Sequence, residues 1–242
     1  MGRREAGLKY SFIIPAYNEE ALLGATLDQL QASADALTGG FEIIVVNDHS
    51  TDRTPEIARE KGVRVIDVKK RQIAAVRNAG AAVASGEIFI FVDADTLVSR
   101  ETLLDVEEAL KNPRVVGGGA KLILDRPPPF WSRLTVWIFL TIYFASNLAA
   151  GGFIFARRQN FQKAGGFDER YFASEEIHFS RALKAQGKLK LVKHPVITSG
   201  RKFRMKTTRD HLNLFKHMAR KGKKGWESRE GLDMWYDGSR EK

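Results

Sequence analysis

The sequence predicts an α/β fold of Rossmann-like type, a mostly parallel central sheet flanked by helices, with a basic helical extension at its C-terminal end. Three observations predict it. Four near-continuous runs of β-branched and aromatic residues fall in the first hundred positions, at 10–16 (YSFIIPA), 41–47 (FEIIVVN), 63–68 (VRVIDV) and 87–92 (EIFIFV). Unbroken apolar runs of this length suit strands buried on both faces of a parallel sheet. Helical spacings separate them, and polar segments bearing acids follow three of the four.

The elements follow in order. Leu23, Leu27, Leu30, Ala34 and Leu37 recur at helical spacing and predict a helix after the first strand. Thr54-Pro55 reads as an N-cap with proline at the first helical position, and Gly62 closes that helix. A third helix spans 74–84 and stops near Gly86. The resulting β-α-β-α-β-α-β order implies an open sheet with right-handed crossovers. Ser99 is placed to cap a helix over 100–111, and 115–124 (VVGGGAKLIL) predicts one glycine-interrupted strand. Pro127-Pro128-Pro129 is a stiff connector without backbone donors. A helix from Trp131, a strand at 152–156, a short helix, the loop Gly165-Gly166-Phe167-Asp168, a helix over 175–186 and a strand over 188–193 complete the pattern. The expected organisation is one domain over 1–200, with a nucleotide-binding half (1–98) and an acceptor and sugar half (99–200), followed by the extension 201–242.

With 43% hydrophobic and 28% charged residues, the 242-residue chain has the composition of a folded domain and not of a disordered one. The absence of cysteine excludes a disulfide framework, a thiolate metal site and a cysteine nucleophile, and fits a reducing, cytoplasmic compartment. The net charge is +10, and 201–242 holds 13 Lys/Arg against 6 Asp/Glu, so that segment alone carries +7. Such a surface suits nucleic acid, an anionic membrane or a phosphorylated substrate. The polar first nine residues do not read as a signal peptide. The stretch 134–155 has no formal charge over 22 residues. Its Thr135, Thr141, Ser146, Asn147 and Gly151-Gly152 favour a buried or membrane-skimming helix ending near Asn147 over a true span.

In open parallel sheets ligands bind beyond the carboxyl ends of the strands. There the first strand runs into Tyr17-Asn18-Glu19, the second into Asp48-His49-Ser50 and the fourth into Asp93-Ala94-Asp95. Asp93 and Asp95, two apart at a strand end, share a face if the backbone stays extended. Two carboxylates so close are costly without a cation or a hydrogen-bond network. A hard divalent ion, Mg²⁺ or Mn²⁺, with diphosphate oxygens in its remaining positions, fits that pair. Two acids at such spacing also occur in ordinary solvated loops, and it is the convergence with the other strand ends that favours a site. Asp48 can accept from the N–H groups of a base, whereas Ser50 and Asp52 read as turn and capping residues.

Taken in order, Pro15-Ala16-Tyr17-Asn18-Glu19, Asn47-Asp48 through Ser50-Thr51-Asp52, Arg77-Asn78 with Gly80, Asp93-Ala94-Asp95, Gly165-Gly166-Phe167-Asp168 and Glu175-Glu176 resemble the family 2 glycosyltransferases of GT-A fold. The resemblance covers roughly residues 10–193. It implies that Pro15, Ala16, Tyr17 and Glu19 line the nucleotide pocket with Asp48 and Arg77, that Asp93 lies near the ribose, and that Asp95 ligates the metal. It also implies that the second acid of the pair, Glu176, is the catalytic base. The sequence departs from the family in having Glu there for Asp, and Glu175 is the alternative base. Both acids also suit a helix N-terminus as such. A carboxylate opposite the leaving diphosphate is what an inverting transfer requires.

Gly151-Gly152 would admit the sugar where side chains collide, and Arg201 opens a basic patch suited to a diphosphate or a phosphorylated acceptor. His178, His194, His211 and His217 are further metal or acceptor candidates, though a lone histidine is more often structural. The expected partners are a nucleoside diphosphate sugar, UDP-linked before GDP-linked, and an acceptor that is a lipid phosphate, a glycan or a small molecule, with peripheral contact to the cytoplasmic membrane face. Two other readings compete. A sugar nucleotidyltransferase usually opens with a glycine-rich phosphate loop, which 15–20 lacks. A non-catalytic membrane- or nucleic-acid-associated protein would use the basic extension, but no nucleic-acid module is recognisable.

Overall fold

The computed structural model describes residues 8–127 and 151–201. The helix expected from Trp131, the segment up to Asn147, most of the proline run and the extension after Arg201 lie outside the described residues.

Four strands, β1 (Leu8–Ala16), β2 (Gly40–Asn47), β3 (Arg64–Asp67) and β4 (Ile88–Val92), lie side by side and parallel in the main sheet. Between them run α1 (Leu23–Ala34), α2 (Thr54–Glu60) and α3 (Ile73–Val83). Then come β5 (Thr96–Leu97), α4 (Arg100–Leu110), β6 (Val115–Gly119), β7 (Leu122–Leu124), β8 (Phe153–Arg157), α5 (Arg158–Lys163), α6 (Glu175–Lys184), β9 (Lys188–Leu191) and β10 (Val196–Thr198). The main sheet has seven strands in the order β3-β2-β1-β4-β8-β6-β9, and a small sheet has the order β5-β10-β7. β8 is antiparallel to both β4 and β6, so the sheet is mixed but mostly parallel.

The unbroken apolar runs have a direct physical cause. Phe12 and Ile14 pack on one face with Leu23, Leu27 and Leu30 of α1 and Leu103 of α4. Ile13 points to the other face, where Val76 of α3, Phe161 of α5 and Phe179 of α6 lie. Both faces of β1 are therefore covered, and each large side chain buried there contributes about 1.5–3 kcal/mol.

Three local expectations are corrected. The run 115–124 is two strands, not one: β6 joins the main sheet and β7 the small one. The glycines of β6 serve close packing, since a Cβ at Gly118 would collide with the Lys190 carbonyl of β9. Helix α2 begins at Thr54 itself rather than after it, and the Thr54 hydroxyl donates to Asp52 while accepting from the Glu19 amide. Helix α1 ends at Ala34, and Leu37 is buried from the loop beyond it. Ser99 caps α4 as expected, its hydroxyl accepting from the Thr102 amide.

Chain order reverses between β1 and β4, since β2 and β3 extend the sheet one way and β4 lies on the other side. A crevice outside the strand ends at such a switch point is where α/β sheets take ligands.

Candidate active site

A cleft of roughly 710 Å³, counted out to open solvent, lies at this switch point. It is lined by Pro15 and Ala16 at the end of β1, Tyr17 and Glu19 just after it, Asp48 after β2, Arg71 and Gln72 before α3, Asp93 and Asp95 after β4, and Arg201 after β10. Ile73 and Val76 of α3 are its apolar components.

The loops after β1 and β2 are zipped together. The Asn18 amide donates to Ser50 Oγ (3.0 Å), Thr51 N–H to Asn18 Oδ1 (2.8 Å), Glu19 N–H to Thr54 Oγ1 (2.7 Å) and Glu20 N–H to Asp52 (3.1 Å). Ser50 and Asp52 thus do the turn work expected of them. Asp48 is held differently: Lys70 N–H donates to Oδ1 and Arg71 N–H to Oδ2, both at 2.7 Å. Each oxygen retains a second lone pair for a ligand. The Arg71 guanidinium stacks 3.9 Å from the Tyr17 ring centroid. Among the described residues, the non-glycine positions with left-handed backbone are Asn18, His49, Arg71 and Ser174. Three follow strands at the cleft edge and the fourth precedes α6. Strained backbone of this kind collects at functional sites.

Asp93-Ala94-Asp95 is a turn and not an extended pair, closed by the Thr96 amide on the Asp93 carbonyl at 3.0 Å. The turn sends the two carboxylates to different cations. Arg77 Nη2 donates to Asp93 Oδ1 (2.9 Å) and to the Gly151 carbonyl (2.8 Å), and Nη1 donates to Glu175 Oε1 (2.8 Å). Arg77 is 1% exposed and sits under Phe167, 5.2 Å from the ring centroid. Burial opposes its charge, but Asp93 and Glu175 outweigh that and hold its pKa above the ordinary value. Arg77 is expected in the pocket wall, but it stands behind the cleft as a brace, with both terminal nitrogens taken by two acids and a carbonyl and its buried Nε left without a hydrogen-bond partner. Arg201 occupies the other side. Its Nη2 donates to both carboxylate oxygens of Glu19 (2.5 and 2.6 Å) and lies 3.2 Å from Asp95 Oδ2.

The acids at the start of α6 differ from each other. Glu175 is buried against Arg77, and burial raises its pKa despite that partner. Glu176 is half-buried, its carboxyl pushed up to about 8, first by desolvation and then by the charge of Glu175. A Cβ at Gly151 would lie 4.0 Å from the Glu176 carboxyl carbon and 3.5 Å from Arg77 Nη2. Gly151 therefore separates the turn at Asp93 from the acid at Glu176. Gly152 faces away, towards Leu122 and Thr96, and is a packing position rather than an opening for the sugar.

The loop Gly165-Gly166-Phe167-Asp168 holds α6 in place. Gly165 and Gly166 both take positive φ (77° and 74°), which lets the chain reverse without a Cβ penalty. Asn78 then clamps the loop, accepting from Phe167 N–H (2.9 Å) and donating to the Phe167 carbonyl (2.8 Å). The Gln72 side chain donates to the Glu169 and Tyr171 carbonyls. Arg71 and Gln72 were missed in the sequence. The signal for them is the polar run 69–72 that follows the third strand.

Among the described residues, no group of three or more His, Asp or Glu side chains could hold an ion unaided. His194 pairs with Asp105 of α4 (3.0 Å), and His178 stacks on Tyr171 with centroids 3.8 Å apart. His211 and His217 lie outside the described residues. The all-oxygen character of Asp93 and Asp95 does fit a hard divalent ion, provided a ligand's own oxygens complete the set.

The family described as Glycosyl transferase family 2 matches residues 11–170. An uncharacterized glycosyltransferase of Bacillus subtilis, YkcC, is 34% identical over 112 residues, 43% of this chain and 34% of that protein. The poly(ribitol-phosphate) beta-N-acetylglucosaminyltransferase TarS of Staphylococcus aureus is 36% identical over 105 residues, 40% of this chain and 18% of TarS. The matched segments thus span about a third or less of these relatives. Among solved structures, the mannosyltransferase PcManGT of Pyrobaculum calidifontis, in complex with GDP-Man and Mn²⁺, superposes with a TM-score of 0.65 at 20% identity. That match covers 87% of this chain and 61% of the other. TarS 1-349 with UDP-GlcNAc gives 0.63 at 21% identity, covering 88% and 67%. The family match takes in the strand ends that line the cleft, Arg77 and the glycine loop before α6, while α6 and Arg201 lie beyond it, and the chain belongs to glycosyl transferase family 2, with a GT-A-like fold.

Proposed function

We propose that the chain transfers a sugar from a nucleoside diphosphate sugar to an acceptor hydroxyl, with inversion and with the help of Mg²⁺ or Mn²⁺. The observation that carries this reading is the Arg77 brace. One buried guanidinium ties the Asp93 turn, where a donor diphosphate would sit, to the α6 start that carries Glu176.

The base and ribose lie over Pro15–Tyr17, with Asp48 accepting from the base and Asp93 near the ribose. Uridine is the first base to test, since TarS was solved with UDP-GlcNAc. Asp95, with Asp93 beside it, would hold the ion, which supplies Lewis-acid stabilisation of charge growing on the leaving diphosphate. Arg201, which lies against Asp95, would be free to turn its guanidinium to a diphosphate bound beside it. Glu175 is committed to Arg77, which leaves Glu176 as the base. The acceptor oxygen attacks the anomeric carbon as its proton passes to the Glu176 carboxylate. The bond from that carbon to the diphosphate oxygen breaks, its electron pair leaving with the diphosphate. A base facing the sugar from the side opposite the leaving group gives inversion in one displacement. The half 1–98 then binds the nucleotide and 99–200 presents the sugar and acceptor.

The test is thermal stability with UDP, GDP and their sugar conjugates, each with and without Mn²⁺. Selective, metal-dependent stabilisation by one nucleotide supports the reading, because a ligand that binds only the native state raises its stability by mass action. No shift with any of them refutes it.

A further inference from the structure

Four large hydrophobic side chains stand exposed among the described residues, and three of them form a single row. In the small sheet Ile197 is in register with Leu97 on one side and Ile123 on the other. Their exposures are 36% for Leu97, 43% for Ile197 and 51% for Ile123. Register partners on adjacent strands point to the same face, so the row is one continuous apolar ridge across β5, β10 and β7. Beneath it Thr96 and Val196 are buried, so the sheet has a clear inner and outer side.

The ridge has basic neighbours. Lys121 and Asp125 stand two residues before and after Ile123 and share its face by alternation, and around the strand ends Arg100, Arg126 and Lys193 are exposed against Glu101, which leaves the surroundings basic on balance. The two segments that leave this sheet are suited to lipid in composition. β7 runs on towards a stretch with no formal charge from 134 to 150, and β10 runs into 202–242, with 12 Lys/Arg against 6 Asp/Glu. Apolar side chains ringed by Lys and Arg are the signature of a surface that rests on an anionic bilayer. No helix among the described residues is long and apolar enough to cross a membrane.

We infer that the outer face of the small sheet, through Leu97, Ile123 and Ile197, seats on an anionic lipid bilayer. Leu97 follows Asp95 by two residues, no more than ~7 Å along the chain. Thr198, next to Ile197, donates to Asp95 Oδ1 (3.4 Å). Seating this face therefore brings the rim of the cleft to the headgroup layer. Resting on the transferase reading, the acceptor class that follows is one carried on a lipid headgroup.

The experiment is co-sedimentation of the full chain with vesicles of phosphatidylcholine alone and of equal parts phosphatidylcholine and phosphatidylglycerol. Wild type is compared with the triple variant Leu97→Thr, Ile123→Thr, Ile197→Thr, which keeps strand preference at all three positions. The expected result is preferential binding of wild type to the anionic vesicles, weakened by salt, and a loss of roughly tenfold or more in the variant. Tm and nucleotide binding should stay unchanged. Equal binding by the variant overturns the inference, as does failure of wild type to bind either vesicle. A large fall in Tm would show that another part of the chain covers the ridge, and a wild-type dimer lost in the variant would assign it to a second copy. Either result also overturns it. Because nucleotide binding is read separately, failure of the membrane proposal leaves the transferase reading intact, and the converse holds.

Discussion

Glu176 has two properties that can be measured apart. Its carboxyl ionises at about 8 in the folded protein against 4.5 ordinarily, so the folded state keeps a proton that the unfolded chain has lost. The stability it contributes is complete below about 4.5 and is lost as pH rises through about 8. Glu176→Gln stays neutral throughout, so its Tm advantage over wild type should grow between these values and level off above them, which thermal melts across pH will show. As a base the group must be ionised, so wild-type kcat/KM should rise through about pH 8 and level off above it, and Glu176→Gln should lose about 10²–10⁴-fold in turnover. Near-normal turnover in that variant would remove the assignment. Arg77 behaves differently. Arg77→Met strands Asp93 and Glu175, and removing one partner from a buried ion network costs about 3–5 kcal/mol. Denaturant unfolding should show that loss before any assay of transfer.

Among the elements, the loop 165–168 carries most of the positioning. Its two left-handed glycines and the reciprocal Asn78 clamp decide where α6 begins, and so where Glu176 lies. Gly166→Ala puts a Cβ in a left-handed backbone and 2.7 Å from Asn78 Oδ1. We expect it to cost about 1–3 kcal/mol and to lower kcat more than it raises KM, as read by urea melts and steady-state kinetics. Gly165→Ala shares the strained φ but meets no atom within 4 Å, so it should cost less. The strands of the first half were legible from their apolar runs because burial on both faces forces such runs. The run 115–124 was not. Splitting one apolar stretch between two sheets is decided by which neighbours receive each half, β8 and β9 for one and β10 for the other.

For the whole molecule, the cleft is held by ion pairs that the proposed donor would have to rearrange. Arg201 spans Glu19 and Asp95, residues from opposite sides of the switch point, and their charges hold its pKa above the ordinary value against the cost of burial. If Asp95 holds the ion as proposed, Mn²⁺ alone would have to compete with that guanidinium for it. Mn²⁺ without nucleotide should therefore raise Tm little in wild type and more in Arg201→Gln, with nucleotide removing the difference. Equal shifts in both proteins would show that Arg201 does not guard Asp95.

By itself the sequence determined the α/β class, the order of the first four strands and the three acidic strand ends, because local periodicity and turn chemistry encode them. It also held the ordered motifs on which the family rests. Only the tertiary structure decided which charges meet. Arg77 and Glu175 are 98 positions apart, and Arg201 and Glu19 are 182 apart, and no local pattern specifies such pairs. The sheet brings them together, and that folding turned an expected pocket-lining arginine into a buried brace. It also turned an expected acceptor arginine into the partner of Asp95.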